Sequence, residues 1–217
     1  MSCEKDFEEV SRITTYATFD MAGDEVIAVP GGGSFTDPGV KAFEGSTELN
    51  VTQSIQYAPL VTAGDGPSDA AYQSVTSVDA SKPGLYTISY SATNSDGFSA
   101  STERLVFVFP GAIPTSVNIA GNYTSGTSPA PTITKVTDGV FFSTNAWGGG
   151  SSVVIPAYIM AIDGNTLSVP QQDSRDRIYG YGTIAANGDL NMFMSRPSFP
   201  PAFGGPLLDL VKNFVKQ

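Results

Sequence analysis

Residues 85–109 read LYTISYSATNSDGFSASTERLVFVF, and this stretch decides the fold class of the chain. Large and small side chains alternate over residues 85–92, a pattern typical of a half-buried β-strand. Residues 94–97, Asn-Ser-Asp-Gly, favour a tight turn, and apolar side chains return over residues 102–109. Two extended runs joined by a turn of this kind predict an antiparallel β-hairpin.

The composition of the whole chain favours further strands rather than helices. Its 217 residues include 23 Gly and 15 Pro, and only 15% of them are charged. Gly and Pro are unfavourable inside helices but common in the turns that join short strands. The hydrophobic content of 41% is sufficient for packed cores, so we predict an all-β protein rather than a disordered chain.

A boundary between two domains is predicted at residues 110–114, Pro-Gly-Ala-Ile-Pro, where the strand pattern stops. The charge balance also changes there. Residues 1–110 carry five basic and 15 acidic side chains, whereas residues 111–217 carry six of each. We therefore expect a tether over residues 1–11, a first domain over residues 12–110 and a second domain over residues 111–217.

The second half contains several short apolar runs that are separated by turn sequences. Asp-Gly or Asn-Gly pairs lie at residues 138–139, 163–164 and 187–188, and such pairs join antiparallel neighbours. The pattern predicts an antiparallel meander that closes into either a β-sandwich or a small barrel. Residues 207–215 differ, because their Leu and Val residues have the spacing of one helical face and predict a short terminal helix.

The chain contains no His, and its single Cys is Cys3. These facts exclude Ser-His-Asp and Cys-His catalysis, His-ligated zinc, thiolate metal clusters and intrachain disulfides. The acidic residues show neither the spaced loop of a calcium site nor the marked carboxylate pair of a glycosidase. The excess of acidic residues disfavours a nucleic-acid partner. We therefore predict a protein without catalytic residues, cofactors or bound metal.

The position of Cys3 is typical of a modified residue. It follows Ser2, and residues 4–9, Glu-Lys-Asp-Phe-Glu-Glu, form an acidic run behind it. The arrangement resembles a bacterial lipoprotein trimmed at its signal peptide, and the acidic run resembles the export signal of Bacteroidetes surface lipoproteins. The resemblance implies that acyl chains on Cys3 hold the protein on the outer membrane at the cell surface, as its only contact with the membrane. A free thiol without a role is the alternative.

Three separated segments of the first half resemble bacterial immunoglobulin-like repeats. They are residues 34–42 (SFTDPGVKA), 78–90 (VDASKPGLYTISY) and 104–108 (RLVFV). The resemblance implies an immunoglobulin-like β-sandwich in which Tyr86 and Tyr90 have structural roles. Such a fold does not by itself define a function.

Parts of the second half resemble the C-terminal domain of Bacteroidetes surface lipoproteins. The matching parts are Tyr123 and residues 133–141, 145–149 and 187–190. Those lipoproteins place an immunoglobulin-like domain before this one and are often associated with polysaccharide-utilisation systems. The resemblance implies a glycan-related context more than a mechanism.

The candidate ligand-binding residues are aromatic and charged side chains of the second half. Trp147 is the only Trp and precedes a glycine run, and the face of an indole can stack on a sugar ring. Core packing is the alternative for a lone Trp in a small β domain. The other candidates are Tyr158, Tyr179 and Tyr181, which would extend an aromatic platform, and Arg175 and Arg177, which suit sugar hydroxyls unless they belong to a solvated hairpin loop.

These observations give two hypotheses of different classes. The first is a non-catalytic surface lipoprotein, a glycan-binding or glycan-uptake accessory protein for a polysaccharide or oligosaccharide, with the first domain as spacer and the second as recognition module. The alternative is a structural module that assembles with outer-membrane proteins and binds no small ligand. The exposure of Trp147 separates them, because a stacking platform needs a free indole face.

Overall fold

The computed structural model describes residues 14–126, 129–148 and 153–217. Within these ranges the chain forms sixteen β-strands and one 3-10 turn at Pro201–Phe203, so the protein is all-β as predicted. None of the helical structure in this part of the chain is long and apolar enough to cross a bilayer.

The first eight strands form two sheets, which we call the two-sheet region. A three-stranded sheet has the order β1-β3-β4, and a five-stranded sheet has the order β2-β8-β7-β5-β6. Apolar side chains from both sheets contribute to one core. The strands are β1 Thr18–Met21, β2 Val26–Val29, β3 Val40–Glu44, β4 Thr47–Leu49, β5 Thr52–Pro59, β6 Gln73–Val75, β7 Gly84–Thr93 and β8 Ser99–Val108.

Strands β7 and β8 confirm the hairpin predicted from residues 85–109. An unbroken antiparallel register pairs the whole of β7 with β8. Tyr86, Ile88 and Tyr90 are 1%, 0% and 3% exposed and pack in the core between the sheets. The residues between them point to the other face of the sheet, which explains the alternation seen in the sequence.

A buried polar network lies inside the two-sheet region. Arg104 is 0% exposed, and its Nε lies 3.4 Å from the Asp37 carboxylate. The Tyr90 hydroxyl donates to the same carboxylate at 2.8 Å, and the Gly39 backbone N–H donates to it at 3.0 Å. The guanidinium also donates to three backbone carbonyls, those of Ala22, Asp24 and Gly39. The Asp-Pro-Gly motif therefore has a structural role: its carboxylate balances the charge of a buried Arg, although the Arg104 Nε has no hydrogen-bond partner among the described residues.

The last eight strands form a closed antiparallel barrel, one of the two predicted alternatives. Each strand pairs with its neighbour in the chain, and β16 closes the barrel against β9. Its interior is filled by buried apolar side chains, including Phe141, Ile178 and Phe214. The strands are β9 Gly121–Thr124, β10 Thr132–Thr137, β11 Val140–Ser143, β12 Ala157–Ala161, β13 Thr166–Asp173, β14 Arg177–Ile184, β15 Leu190–Arg196 and β16 Leu207–Lys216.

Two glycines of β14 make room for methionines of β15. A Cβ at Gly180 would lie 2.6 Å from the Met194 sulfur, and one at Gly182 would lie 2.5 Å from the Met192 sulfur. Both methionines are buried in the barrel core. In the Tyr-Gly-Tyr-Gly sequence of β14, the tyrosine rings thus point out of the barrel, and the glycines occupy the positions that face its interior.

The predicted terminal helix over residues 207–215 is wrong, because this segment is strand β16. Lys212 and Phe214 are buried, whereas Val211 and Val215 are 59% and 46% exposed, a period of two rather than of a helix. The apparent helical spacing arose because Val211 and Val215 lie on the exposed face of the strand together with Asn213, and the inward face includes Lys212. Closure of the barrel determines the conformation of this segment.

The two-sheet region and the barrel share an apolar interface. It joins Ala58, Leu85 and Phe107 of the first to Val140 and Met160 of the second. The backbone N–H of Val61 donates to the Ser168 hydroxyl at 2.9 Å, and that hydroxyl donates back to the Val61 carbonyl at 2.9 Å. The segment at the predicted boundary is packed as well, since Phe109 and Ile113 belong to the same cluster.

Candidate functional site

A groove lies where the outer face of the five-stranded sheet meets barrel strands β12 and β13. We call it the junction groove, and its volume is about 260 Å³. Its lining combines aromatic, aliphatic, amide, hydroxyl and carboxylate side chains from both halves of the chain. The lining residues are Gln56, Tyr72, Leu85, Thr87, Glu103, Leu105, Tyr158, Gln172, Asp173 and Ser174.

Tyr72, which lines this groove, lies beside Arg177 of the opposite half of the chain. The guanidinium carbon of Arg177 lies 5.8 Å from the centroid of the Tyr72 ring. The same guanidinium donates to both oxygens of Asp173 at 3.0 Å, which is the geometry of a forked ion pair. Burial, followed by the charge of Asp173, raises the pKa of Tyr72, so its hydroxyl is a hydrogen-bond donor at neutral pH.

Tyr158 lines the groove as a half-buried ring that is also part of the interface. Its centroid lies 5.7 Å from that of Phe107 and 5.1 Å from that of Phe142. The amide of Gln172 holds its backbone, accepting from Tyr158 N at 2.8 Å and donating to Tyr158 O at 2.9 Å. Burial raises the pKa of Tyr158. Tyr158 is therefore fixed in place, with part of its surface facing the groove.

A second depression adjoins the junction groove, and we call it the side cleft. It has a volume of about 280 Å³ and is lined by residues 173–177 and Ser198. Asp173 and Ser174 line both depressions, so the two are continuous at that point. Arg175 is exposed at the side cleft. The charged hairpin segment singled out in the sequence thus borders a concave surface.

Trp147 is a core residue of the barrel. Its side chain is 2% exposed, so the free indole face that a stacking platform needs is absent. Lys212 Nζ lies 4.3 Å and the Arg196 guanidinium carbon 5.1 Å from the indole ring. Burial, followed by the charge of Arg196, lowers the pKa of Lys212. Packing inside the closed barrel therefore corrects the interpretation of Trp147 as a surface platform.

Trp147 nevertheless connects to the side cleft through Arg196. This guanidinium is ion-paired with Asp176, whose carboxylate lines the cleft, and it also lies 4.8 Å from the centroid of Phe199. The Arg196 Nε donates to Asp176 at 2.9 Å. The indole thus supports a residue that positions one wall of the cleft.

Tyr179 and Tyr181 lie away from the junction groove on the outer face of the barrel. Tyr179 is 1% exposed and is packed against Val61 and Ala70. Tyr181 stacks on Phe193 with centroids 4.9 Å apart and planes at 12°. The structure brings together Tyr158, Arg175 and Arg177 of the predicted set, and it does not bring Trp147, Tyr179 and Tyr181 to the same surface.

Tyr72 was not among the residues predicted from the sequence. It lies between β5 and β6 in a turn-rich segment, and it reaches the groove only through the packing of the two halves. Within the described ranges, no cluster of three or more Asp, Glu, His or Cys side chains could hold a metal ion. The predicted lipidation site, Cys3, lies outside the described residues.

Residues 58–108 match the family described as bacterial surface protein, Ig-like domain. The match spans the β7–β8 hairpin and Tyr72, and it supports the immunoglobulin-like resemblance for that part of the chain. No curated protein matches. Among solved structures, the crystal structure of a lipoprotein from Bacteroides thetaiotaomicron is 20% identical, covers 93% of this chain and 100% of its own, and has a TM-score of 0.37.

Proposed function

We propose that this chain is a non-catalytic lipoprotein of the bacterial cell surface that binds an oligosaccharide in the junction groove. The juxtaposition of Tyr72, Tyr158 and Asp173 in this groove, with Arg177 of the adjoining side cleft paired to Asp173, carries the proposal. The match of residues 58–108 to a bacterial surface domain supports the location, and Cys3 is the proposed acylation site on an outer membrane. Residues 12–110 and 111–217 would be its two domains.

The chemistry of the groove suits a sugar. A pyranose ring has an apolar face and a rim of hydroxyls, and the groove offers aromatic and aliphatic surface beside carboxylate, amide and hydroxyl groups. Side chains from both halves contribute, so recognition would not belong to the second domain alone. The continuity with the side cleft would let a chain of sugars extend past Ser174.

The charges favour a neutral glycan. Glu103 and Asp173 line the junction groove, and the basic side chain beside them, Arg177, is already paired with Asp173. The whole chain has a formal net charge of −10. An acidic polysaccharide would meet repulsion on approach, whereas a neutral one would not.

Binding to a panel of soluble neutral and acidic polysaccharides, measured by calorimetry, tests this proposal. Tyr72→Ala should raise the Kd by about 5- to 150-fold, which corresponds to the roughly 1–3 kcal/mol of one stacked ring. Tyr16→Ala is the matched control, because Tyr16 is 57% exposed and does not line the groove. The proposal fails if no neutral glycan binds the parent chain, or if both variants bind as the parent does.

A structural or protein-binding role is the second candidate, and one observation favours it. Strand β16 exposes three large apolar side chains, Leu208, Val211 and Val215, at 41%, 59% and 46% exposure, with the exposed polar residues Asp209 and Asn213 among them. Clusters of exposed apolar side chains can mark protein contacts. Val211→Lys would then remove the protein from any outer-membrane complex detected by native electrophoresis, and it would leave glycan binding unchanged.

A further inference from the structure

Two aromatic side chains are exposed side by side at one end of the two-sheet region. Tyr16 is 57% exposed and Phe98 is 49% exposed. Their ring centroids lie 5.9 Å apart with planes at 59°. We call them the aromatic pair. Phe98 lies at the tip of the β7–β8 hairpin, opposite the end that reaches the junction groove.

The pair is held in place by Asn94, which is only 5% exposed. Its amide nitrogen donates to the carbonyl of Thr15 at 2.8 Å, and its amide oxygen accepts from the backbone N–H of Phe98 at 2.7 Å. One buried side chain thus fixes the backbone beside both rings. The hairpin tip is also tied to the other sheet, since Ser95 donates twice to the Glu44 carboxylate. Contact with a partner would therefore cost little ordering of this surface.

The aromatic pair lies where the described chain begins. Residues 1–13 precede it, and the thirteen residue-to-residue steps from Cys3 to Tyr16 span at most roughly 45 Å when fully extended. A lipid on Cys3 would keep the pair within reach of the bilayer surface at a high effective concentration.

We propose that the aromatic pair contacts the headgroup region of the bilayer and orients the anchored protein on it. This inference rests on the proposed lipid attachment at Cys3. Tyr16 is suited to that depth, because its ring can enter the interface while its hydroxyl stays in contact with water, and the Phe98 ring beside it adds apolar surface. A pair of rings is a weak contact alone, and the covalent anchor makes it effective, as a second signal does for other lipidated proteins.

The carboxylates near the aromatic pair favour one kind of bilayer. Glu44 and Asp96 belong to the hairpin tip and its support, and residues 4–9 add four more carboxylates next to the anchor. Anionic headgroups would repel this end of the molecule, so a zwitterionic surface is the expected partner. In that orientation β7, which spans about 33 Å at ~3.3 Å per residue, separates the junction groove from the membrane.

A vesicle experiment tests the orientation with the full chain. Cys3 is the only Cys, so it can be coupled to maleimide headgroups in phosphatidylcholine vesicles that contain lipids brominated on their acyl chains. Phe98→Trp places an indole in the aromatic pair, and Val136→Trp is the control because Val136 is 41% exposed on barrel strand β10. The parent chain measures the background from buried Trp147.

We expect bromine to quench the Phe98→Trp emission at least twofold more than the Val136→Trp emission, and Tyr16→Ser to reduce that excess. Phosphatidylglycerol in the vesicles should reduce it as well. Equal quenching of the two Trp variants, or no quenching of either, would overturn the inference. The coupling supplies the anchor chemically, so the result does not depend on acylation in cells, which mass spectrometry of the cellular protein tests separately.

Discussion

The two halves of this chain bury an arginine in different ways. Arg104 of the two-sheet region is 0% exposed and is surrounded by Asp37 and three backbone carbonyls. Arg196 of the barrel is 8% exposed and lies between the rings of Trp147 and Phe199, with Asp176 as its ion-pair partner. The first guanidinium is satisfied mainly by hydrogen bonds, and the second by aromatic faces together with a carboxylate that borders a cleft.

The difference reflects what each half can offer. In the two-sheet region, the backbone carbonyls of Ala22, Asp24 and Gly39 lie beside Arg104 and accept from its guanidinium. In the barrel, the partners of Arg196 are side chains, namely the rings of Trp147 and Phe199 and the carboxylate of Asp176. We infer that Arg104 serves folding and that Arg196 connects the barrel core to the side cleft.

Removal of Arg104 should have the largest effect. Arg104→Met removes the cation that is paired with the Asp37 carboxylate and the donor to the Ala22 and Asp24 carbonyls, and we expect a loss of about 3–5 kcal/mol in the free energy of unfolding. Hydrogen exchange measured by mass spectrometry should show the loss in β1–β8. Lys41→Met is the control, since the Lys41–Glu48 side chains are 63% and 58% exposed and their pair should contribute less than about 1 kcal/mol. A loss confined to the barrel would contradict the comparison.

Removal of Arg196 should have a smaller effect in a different place. Arg196→Met frees an Asp176 side chain that is 21% exposed and that water can reach, so we expect a loss of about 1–3 kcal/mol. The emission of Trp147 should change, because a cation leaves its ring, and urea unfolding followed by that emission measures both effects. An effect as large as that of Arg104→Met would remove the distinction between the two arginines.

The smallest effect concerns tyrosines at high pH. Burial and a hydrogen bond to Asp37 raise the pKa of Tyr90 to about 12, and burial and Tyr57 raise that of Tyr86 to about 12. In the barrel, burial and Asp189 raise that of Tyr123 to about 12. Because the pKa of such a tyrosine is higher in the folded protein than its unfolded value of 10.0, its protonated hydroxyl contributes to the stability of the fold at pH values below 10.0. This contribution is lost as the pH rises towards 12.

Both halves should therefore lose stability at alkaline pH, and Tyr90 contributes to the loss in the two-sheet region. Urea unfolding at several pH values between about 8 and 11, with absorbance to follow tyrosinate, measures the loss. Tyr90→Phe removes one of the raised hydroxyls and should flatten the pH dependence of the two-sheet region only. An unchanged pH dependence in this variant would show that Tyr90 ionises as it does in the unfolded chain.

The parts of the fold that the sequence predicts are those with local causes. The β7–β8 hairpin follows from its alternation and from an Asn-Ser-Asp-Gly turn, both within 25 residues. The spacing of Leu and Val predicts a helix for strand β16, whereas its conformation depends on pairing with β15 and on closure of the barrel against β9, some 90 residues earlier in the chain. The choice between barrel and sandwich depended on the same closure, which leaves no mark in local periodicity.

For the candidate site as well, local sequence features predict some residues, whereas others depend on how distant parts of the chain pack. Arg175 and Arg177 stand out in the sequence as a charged hairpin, and they do border a concave surface. Trp147 stood out through its rarity, but rarity does not distinguish a core ring from an exposed one. Tyr72 carried no signal, because the groove that it lines exists only after the two halves pack together.

The parallel pairing of β2 with β8 has a mechanical consequence. Four residue pairs join these strands, from Val26 opposite Leu105 to Val29 opposite Val108. A pulling force applied between the chain before β2 and the barrel after β8 would slide the two strands along each other. All four residue pairs would then bear the force at the same time instead of separating one after another. Such an arrangement lets a tethered protein withstand shear from flow or from a ligand held at its far end.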